Sequence, residues 1–273
     1  MLRPHSREWY DRLATMQRGY FYPWRSELAP HNGEDAYLQL VREHLLGIGP
    51  DMPPGRPGAR DVLDAGCGHG EATLDLAPLA GRILAYDRVA SFVELAREAA
   101  RERGVRNVEF VHADSSEEAN GGKARIPTDG ECFDLMISRR GPLNWLEDAR
   151  RVARPGAVLI ELNPMEGPSP PWIDELPAEL RFVEPVYPGI RSSVERRLEI
   201  GGLRLHSAWV YDVPEWLADA RQFYVYRTFG RSPEEAPAWE EVREVFEAVY
   251  ARHATSRGLV LRHRRLLWKA VVD

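Results

Sequence analysis

Val62-Leu63-Asp64-Ala65-Gly66-Cys67-Gly68-His69-Gly70 is the stretch on which the fold turns. An apolar run ends at an acidic residue, and three glycines follow at alternate positions. The apolar run suits a buried strand. Glycine lets the backbone turn with positive φ and removes the Cβ that would hold a ligand away. A short helix pattern follows near Glu71–Leu79, so the loop joins a strand end to a helix start. That junction is where open α/β sheets bind ligands.

Downstream, strands and helices alternate. Arg82–Asp87 reads as a second strand, and Val89–Arg103 as a helix with Phe92, Val93, Leu95, Ala96, Ala99 and Ala100 inward and Gly104 past its end. Val108–Val111, Phe133–Ser138 and Ala157–Leu162 read as further strands, and Pro142 is placed to open a helix. Strands that alternate with helices imply a parallel sheet, because parallel pairing needs a crossover. Near-continuous apolar runs such as Ile83-Leu84-Ala85 fit strands covered on both faces.

Upstream, Arg18–Trp24 is an aromatic knot, a helix pattern runs from Gly33 to about Leu46, and Gly47–Gly58 is a linker by composition. Beyond Asn163, residues 164–190 are Pro-rich and irregular. Val194–Ile200 fits a helix, Leu203–Tyr211 a strand, Pro214–Gln222 and Pro237–His253 two helices, and Leu259–Val272 an extended end. The expected organisation is one structural domain in three parts. Residues 1–57 form an N-terminal helical and aromatic lid with its linker, 58–163 the binding core, and 164–273 the C-terminal half of the sheet with a helical cap.

The chain of 273 residues is long enough for a large core, and its formal net charge of −6 argues against reliance on long phosphate backbones. The basic run Arg262-His263-Arg264-Arg265 is read as a solvated edge or turn, with a nucleic-acid or acidic-substrate contact as the alternative. No apolar run is long enough to span a bilayer, and residues 1–9 lack the apolar core of a secretory signal. Cys67 and Cys132 have no metal-type spacing and suit a reducing compartment. A cytoplasmic location, no membrane contact and no bound metal are expected.

Two ligand classes compete for the glycine loop. A dinucleotide requires Gly-x-Gly-x-x-Gly, with its pyrophosphate on the helix N-terminus. Here the third glycine comes one position early, and Glu71 stands where a glycine is needed. A carboxylate there repels a pyrophosphate. It does not repel S-adenosylmethionine, which carries a sulfonium and no phosphate. Asp87, at the second strand's end, has the chemistry to accept two ribose hydroxyls or to cap the following helix. Asp114 and Ser115, after the third strand, can receive an adenine amino group or serve ordinary turn chemistry.

With these residues in place, the sequence resembles the class I S-adenosylmethionine-dependent methyltransferases, within them the type 11, quinone-biosynthesis-like group. The resemblance is carried by Val62–Gly70, Asp87, Asp114, Phe133–Ser138 and Ala153-Arg154-Pro155-Gly156-Ala157. It covers roughly residues 58–163, and His263–Ala270 resembles the family's last, antiparallel strand. It implies a Rossmann-like three-layer α/β sandwich, a mostly parallel seven-stranded sheet with its last strand antiparallel, and helical lid elements. It implies cofactor contacts from Asp64, Gly66, Cys67, Gly68, Gly70, Asp87, Arg88, Asp114, Ser115 and Ser138, with S-adenosylhomocysteine as product.

The sequence departs from the amino-group methylases of DNA bases and protein glutamine. Their Asn/Asp-Pro-Pro-Tyr motif is replaced by Ser138-Arg139-Arg140-Gly141-Pro142. Arg139 or Arg140 can meet an acidic acceptor or the cofactor carboxylate, or simply lie at the surface. No catalytic residue is assigned; His69, His112 and His206 are the histidines considered as bases. The expected activity is in-line methyl transfer to a small molecule. An RNA or protein methyltransferase and a non-catalytic cofactor-binding protein are the alternatives.

Overall fold

The computed structural model describes residues 2, 6–48, 58–130, 132–181 and 189–273. Its centre is one eight-stranded sheet: β1 (Ser26–Leu28), β2 (Asp61–Ala65), β3 (Arg82–Asp87), β4 (Val108–His112), β5 (Phe133–Arg139), β6 (Ala153–Met165), β7 (Arg204–Leu217) and β8 (Leu259–Val271). The order is β1-β7-β8-β6-β5-β2-β3-β4. β2 pairs in parallel with β3 and β5, and the β3–β4 and β5–β6 pairs are also parallel. β8 inserts antiparallel between β6 and β7. The chain winds outward from β2 to β4 and then returns to β5 on the other side of β2. The crevice at the C-terminal end of β2 is therefore a topological switch point.

The helices are α1 (Arg7–Met16), α2 (Glu34–Leu46), α3 (Glu71–Leu76), α4 (Ala90–Glu102), α5 (Ala149–Val152), α6 (Ile190–Ile200), α7 (Ala220–Thr228) and α8 (Trp239–His253). Adjacent strand residues point to opposite faces, and the core divides accordingly. Val62, Ile83 and Ile137 pack with Tyr37 and Val41 of α2 and with Val93 and Ala96 of α4. Leu63, Leu84 and Met136 pack on the opposite face with Trp145, Leu146, and Val194 and Leu198 of α6. A third cluster joins Trp172, Phe223 of α7 and Phe246 of α8 beyond the ends of β7 and β8.

The layered α/β sandwich and the antiparallel last strand hold. Three expectations need correction. First, the sheet has eight strands rather than seven, because Ser26–Leu28 pairs with Glu215–Leu217 at the edge. Second, Pro142 opens no regular helix. Asn144–Glu147 is a single 3-10 turn and α5 only one further turn, because β6 already begins at Ala153. Third, Pro214 lies inside β7, and the helix starts only at Ala220, where the Asp219 side chain accepts from Gln222 N–H. Pro214 is tolerated because its carbonyl accepts from Ala29 N–H at 2.9 Å, on the side of the short edge strand. In a strand a residue's N–H and C=O point the same way, so the missing donor falls on the edge side.

The basic run lies within β8 rather than in a turn. Arg264 pairs with Asp212, Arg265 with Glu34 and His263 with Glu215, which leaves Arg262 exposed. Most of the expected linker, residues 49–57, lies outside the described residues. Its two ends meet, because Ala59 N–H donates to His44 O at 2.9 Å beside the end of α2. Both cysteines are free. Among the described residues no group of side chains suits a metal ion, and no helix is long and apolar enough to cross a membrane.

Candidate functional site

The glycine loop is held by backbone bonds. The N–H groups of Gly66 and Cys67 both donate to Tyr86 O, at 2.9 and 3.0 Å, which ties the loop to the end of β3. The three glycines have different reasons to be there, although all have positive φ. A Cβ on Gly66 would lie 2.8 Å from the Pro142 ring, and one on Gly70 would lie 2.8–2.9 Å from Ala96 and Phe110. Those two positions are closed by protein. A Cβ on Gly68 would meet nothing within 4 Å. Gly68 thus bares its backbone to open space, as close approach of a ligand requires.

Asp87 ends β3, and its Oδ2 accepts from Gly68 N–H and its Oδ1 from Val89 N–H, each at 2.8 Å. Both roles read from the sequence coexist. One oxygen braces the loop and the other orders the start of α4, yet a carboxylate offers about four acceptor positions, so two remain. Burial raises the Asp87 carboxyl above its ordinary range, although the two backbone donors oppose this. Asp64 is buried beneath the loop, where its Oδ2 accepts from Thr73 Oγ1 at 2.5 Å. Its burial pushes the carboxyl up to about 6, against that hydrogen bond.

Ser138 is fully buried and donates to Ala65 O at 2.8 Å, so it supports the end of β2 from below. Ser115 is likewise buried, and its hydroxyl lies 3.1 Å from Tyr86 Oη. Asp114 Oδ1 accepts from Ser116 N–H at 2.9 Å, and its other oxygen meets the Arg7 guanidinium of α1. Arg88 reaches back to α1, with its guanidinium over the Tyr10 ring and a 3.4 Å hydrogen bond to Ser6 O. The N-terminal helix therefore lies across the Asp87–Asp114 side of the crevice.

The aromatic knot continues this cover. Tyr20 N–H donates to His69 Nδ1 at 3.4 Å, and the Tyr20 and Tyr22 hydroxyls are 3.3 Å apart. Tyr22 stacks on Trp24 with centroids 4.6 Å apart, and both rings contact Phe229. The segment is also core: Trp9 and Leu13 are buried, and Trp9 fills the space a Cβ on Gly230 would need. This part of the segment packs on the core.

On the far side of the loop stand Arg139 and Arg140, noted in the sequence, beside Glu34 and Glu215, which no local motif revealed. Arg139, Arg140 and Arg265 all turn towards Glu34 at the start of α2. Glu215 Oε1 accepts from Trp24 Nε1 at 2.8 Å and Ser26 Oγ at 2.5 Å, while Oε2 lies 2.9 Å from His263 Nε2. Burial alone would raise the Glu215 carboxyl, but the bonds from His263, Ser26 and Trp24 hold it below its usual range. One available signal was that His263 and Arg265 are two apart on a strand and so share a face. Of the histidines considered earlier, His69 lies at the loop, with its pKa lowered chiefly by burial. His112 and His206 are exposed, and they bond Arg88 O and the Ser207 hydroxyl.

With this geometry established, three comparisons bear on it. A family described as a methyltransferase domain matches residues 62–156, which run from β2 into β6. A 23S rRNA (uracil(1939)-C(5))-methyltransferase of Edwardsiella ictaluri is 33% identical over 106 residues, covering 38% of this chain and 23% of that protein. A 2-heptyl-1-hydroxyquinolin-4(1H)-one methyltransferase of Mycobacteroides abscessus is 35% identical over 118 residues, covering 42% of this chain and 50% of that protein. The chain thus spans between about a quarter and a half of the length of these curated relatives. The crystal structure of a functionally unknown protein from Deinococcus radiodurans R1 superposes over 97% of this chain and 99% of its own, with a TM-score of 0.61 at 24% identity. That likeness shows the fold.

Proposed function

We propose that this chain, whose residues 62–156 form a class I S-adenosylmethionine-dependent methyltransferase domain, transfers the methyl group of that cofactor directly to a small molecule. The observation that carries the reading is the open backbone at Gly68 braced by Asp87 at the switch point of the sheet. The residues suit the cofactor. The Gly66–Gly70 backbone would lie along its amino-acid and sulfonium portion, with buried Asp64 and half-buried Cys67 shaping the loop. Asp87 has acceptor positions left for two ribose hydroxyls. Asp114, Arg88 and α1 border the place for adenine, while Ser115 and Ser138 support the floor.

The cofactor supplies a methyl group already activated by a sulfonium, so the chain's work is alignment and exclusion of water. The aromatic segment Tyr20–Trp24 and α1 supply the cover. His263 stands on the acceptor wall with Nε2 against Glu215, which leaves Nδ1 to take a proton from a hydroxyl or amine.

A small acceptor is favoured over RNA because the basic run is engaged in internal pairs with Asp212, Glu34 and Glu215. Of the two curated relatives above, one is named for a ribosomal uracil and one for a hydroxyquinolone. The proposed domain plan remains an N-terminal lid (1–57), a cofactor core (58–163) and a C-terminal half-sheet with cap (164–273).

The test is titration with S-adenosylhomocysteine, followed by incubation with methyl-labelled cofactor and size-fractionated extract. Binding with label in the small-molecule fraction is the expected result. Label in RNA or protein would overturn the acceptor class. Binding without transfer would point to a non-catalytic cofactor-binding protein.

A further inference from the structure

Three guanidinium groups converge on one carboxylate in the wall facing the glycine loop. Arg265 Nη1 lies 3.0 Å from Glu34 Oε1, Arg140 Nε 3.5 Å from the same oxygen, and Arg139 Nη1 3.8 Å from Oε2. These side chains are shielded: Glu34 is 17%, Arg265 13% and Arg140 26% exposed. Only Arg265 is at hydrogen-bond distance from the carboxylate, and it also donates to Asn32 O at 3.1 Å. The one hydrogen bond shown for the Arg140 side chain runs from Nη1 to Tyr22 Oη at 3.4 Å. Glu34 Oε2 is buried without a hydrogen-bond partner.

Two further carboxylates act on the cluster, Asp64 on Arg139 and Glu215 on Arg265, but each is already held by its own partners, Thr73 for Asp64 and Trp24, Ser26 and His263 for Glu215. Glu71 is 3.9 Å from Arg139 but 60% exposed, so solvent screens it. Burial pushes the Tyr10 hydroxyl up to about 12 and that of Tyr20 further still, so both rings stay neutral at ordinary pH. Burial lowers the pKa of Arg265, opposed first by Glu34, and the charge of Arg140 lowers it further; against burial, the neighbouring tyrosines and Glu34 raise that of Arg140. A shielded cluster with more cations than anions is unfavourable unless an anion completes it.

The backbone points the same way. Arg140 has φ of +62°, a left-handed conformation that a non-glycine residue adopts at a cost. It is held there by its N–H, which donates to Leu162 O at 2.7 Å. Position fixes the direction of the cluster. Asp87 and Asp114 follow β3 and β4, whereas Arg139 and Arg140 follow β5, and Arg265 lies on β8, two strands beyond β5. The cluster thus lies towards β5 and β8, on the other side of β2 from Asp87 and Asp114, and Arg140 meets the Tyr22 hydroxyl.

We propose that the Arg139–Arg140–Arg265 cluster binds a carboxylate of the acceptor, so that the substrate class is small molecules with an anionic head and a flat apolar body seated against Tyr20, Tyr22 and Trp24. Arginine suits this task because its planar fork matches a carboxylate in pairs of bonds. The inference rests on the methyltransferase reading above and deepens it.

The test uses the full chain saturated with S-adenosylhomocysteine and titrates benzoate against its neutral analogue benzamide. Benzoate should bind at least about tenfold more tightly, the discrimination expected of a charge-assisted site. R265Q should remove that preference. It should leave unchanged the affinity ratio of S-adenosylhomocysteine to 5′-methylthioadenosine, which lacks the amino-acid carboxylate. Equal binding of the two probes, or binding of neither, overturns the proposal while the cofactor titration still stands. A collapse of the cofactor ratio in R265Q would assign the arginines to the cofactor carboxylate and equally overturn it. Circular dichroism checks the variant, and R140Q replaces it, with the same expected and overturning results, if R265Q does not fold. Failure of S-adenosylhomocysteine to bind the native chain would instead sink the methyltransferase reading.

Discussion

The two halves of the crevice are built differently. On the β2–β3–β4 side the contacts are made by backbone: Gly66 and Cys67 amides on Tyr86 O, and the Gly68 amide on Asp87. These loop contacts join residues about twenty positions apart along one strand–helix–strand unit, and the cover from α1, through Arg7 on Asp114 and Arg88 on Ser6, is long-range. On the β5–β6–β8 side they are side-chain contacts between distant residues: Glu34 with Arg265, Glu215 with His263 and with Trp24. A backbone-built site tolerates few sequences, because glycine and a strand-end carboxylate are required at fixed spacing. A side-chain-built wall can change its partners one by one while the sheet persists. The first half fits a constant cofactor and the second a variable acceptor.

Five substitutions would break or sharpen that contrast. The largest effect is expected from His263→Gln on the acceptor side. If the histidine takes the acceptor's proton, kcat falls by roughly 10²–10⁴-fold while the affinity for S-adenosylhomocysteine is unchanged. Unaltered turnover would remove His263 from the chemistry.

Gly70→Ala and Gly68→Ala separate packing from ligand approach within the loop. Both impose a left-handed φ on a residue with a Cβ, at about 1–2 kcal/mol. Only Gly70→Ala also drives that Cβ into Ala96 and Phe110, so a further 1–3 kcal/mol or so is expected from overpacking. Urea denaturation should rank Gly70→Ala well below Gly68→Ala in stability. Calorimetric titration should show weaker cofactor binding for Gly68→Ala despite its milder unfolding.

Asp87→Asn halves the acceptor capacity on which Gly68, Val89 and the ribose depend. The affinity for S-adenosylhomocysteine should drop by about tenfold or more, from one lost charge-assisted bond. An unchanged dissociation constant would contradict the ribose role and leave only loop bracing.

The effect expected of Asp64→Asn depends on pH. The folded chain holds the Asp64 proton up to about 6, against an ordinary value of 3.8. Stability from this group is therefore complete below the ordinary value and is lost as pH rises through about 6. The difference is on the order of 3 kcal/mol at neutral pH. Asp64→Asn should flatten the urea midpoint between pH 4 and pH 7, whereas parallel curves for the two proteins would show that the carboxyl ionises freely.

Much of the fold was legible because β2 to β6 carry local signals: apolar runs, glycine punctuation and helical periodicity. Errors arose where tertiary pairing outweighed local preference. Pro214 looks like a helix start, but β8 zips along β7 from Leu259 and carries the strand through the proline. Ser26–Leu28 has no burial pattern and becomes a strand only because β7 offers it an edge. Arg262–Arg265 reads as a solvated charge run until its strand places Asp212, Glu34 and Glu215 beside it. The burial of Ser115 and Ser138, whose hydroxyls lie on Tyr86 and Ala65, had no local signal either.

By itself, the sequence determined the α/β layering, the place of the glycine loop and the acidic residue that braces it. Each depends on the conformational limits of residues close together in the chain. Only the tertiary structure decided that Arg140 and Arg265 meet Glu34, that His263 leans on Glu215, and that Trp24 of the N-terminal aromatics bonds Glu215. Those contacts join residues more than a hundred positions apart, or carried on different strands, and their partners are chosen by sheet order and packing, which no local pattern encodes.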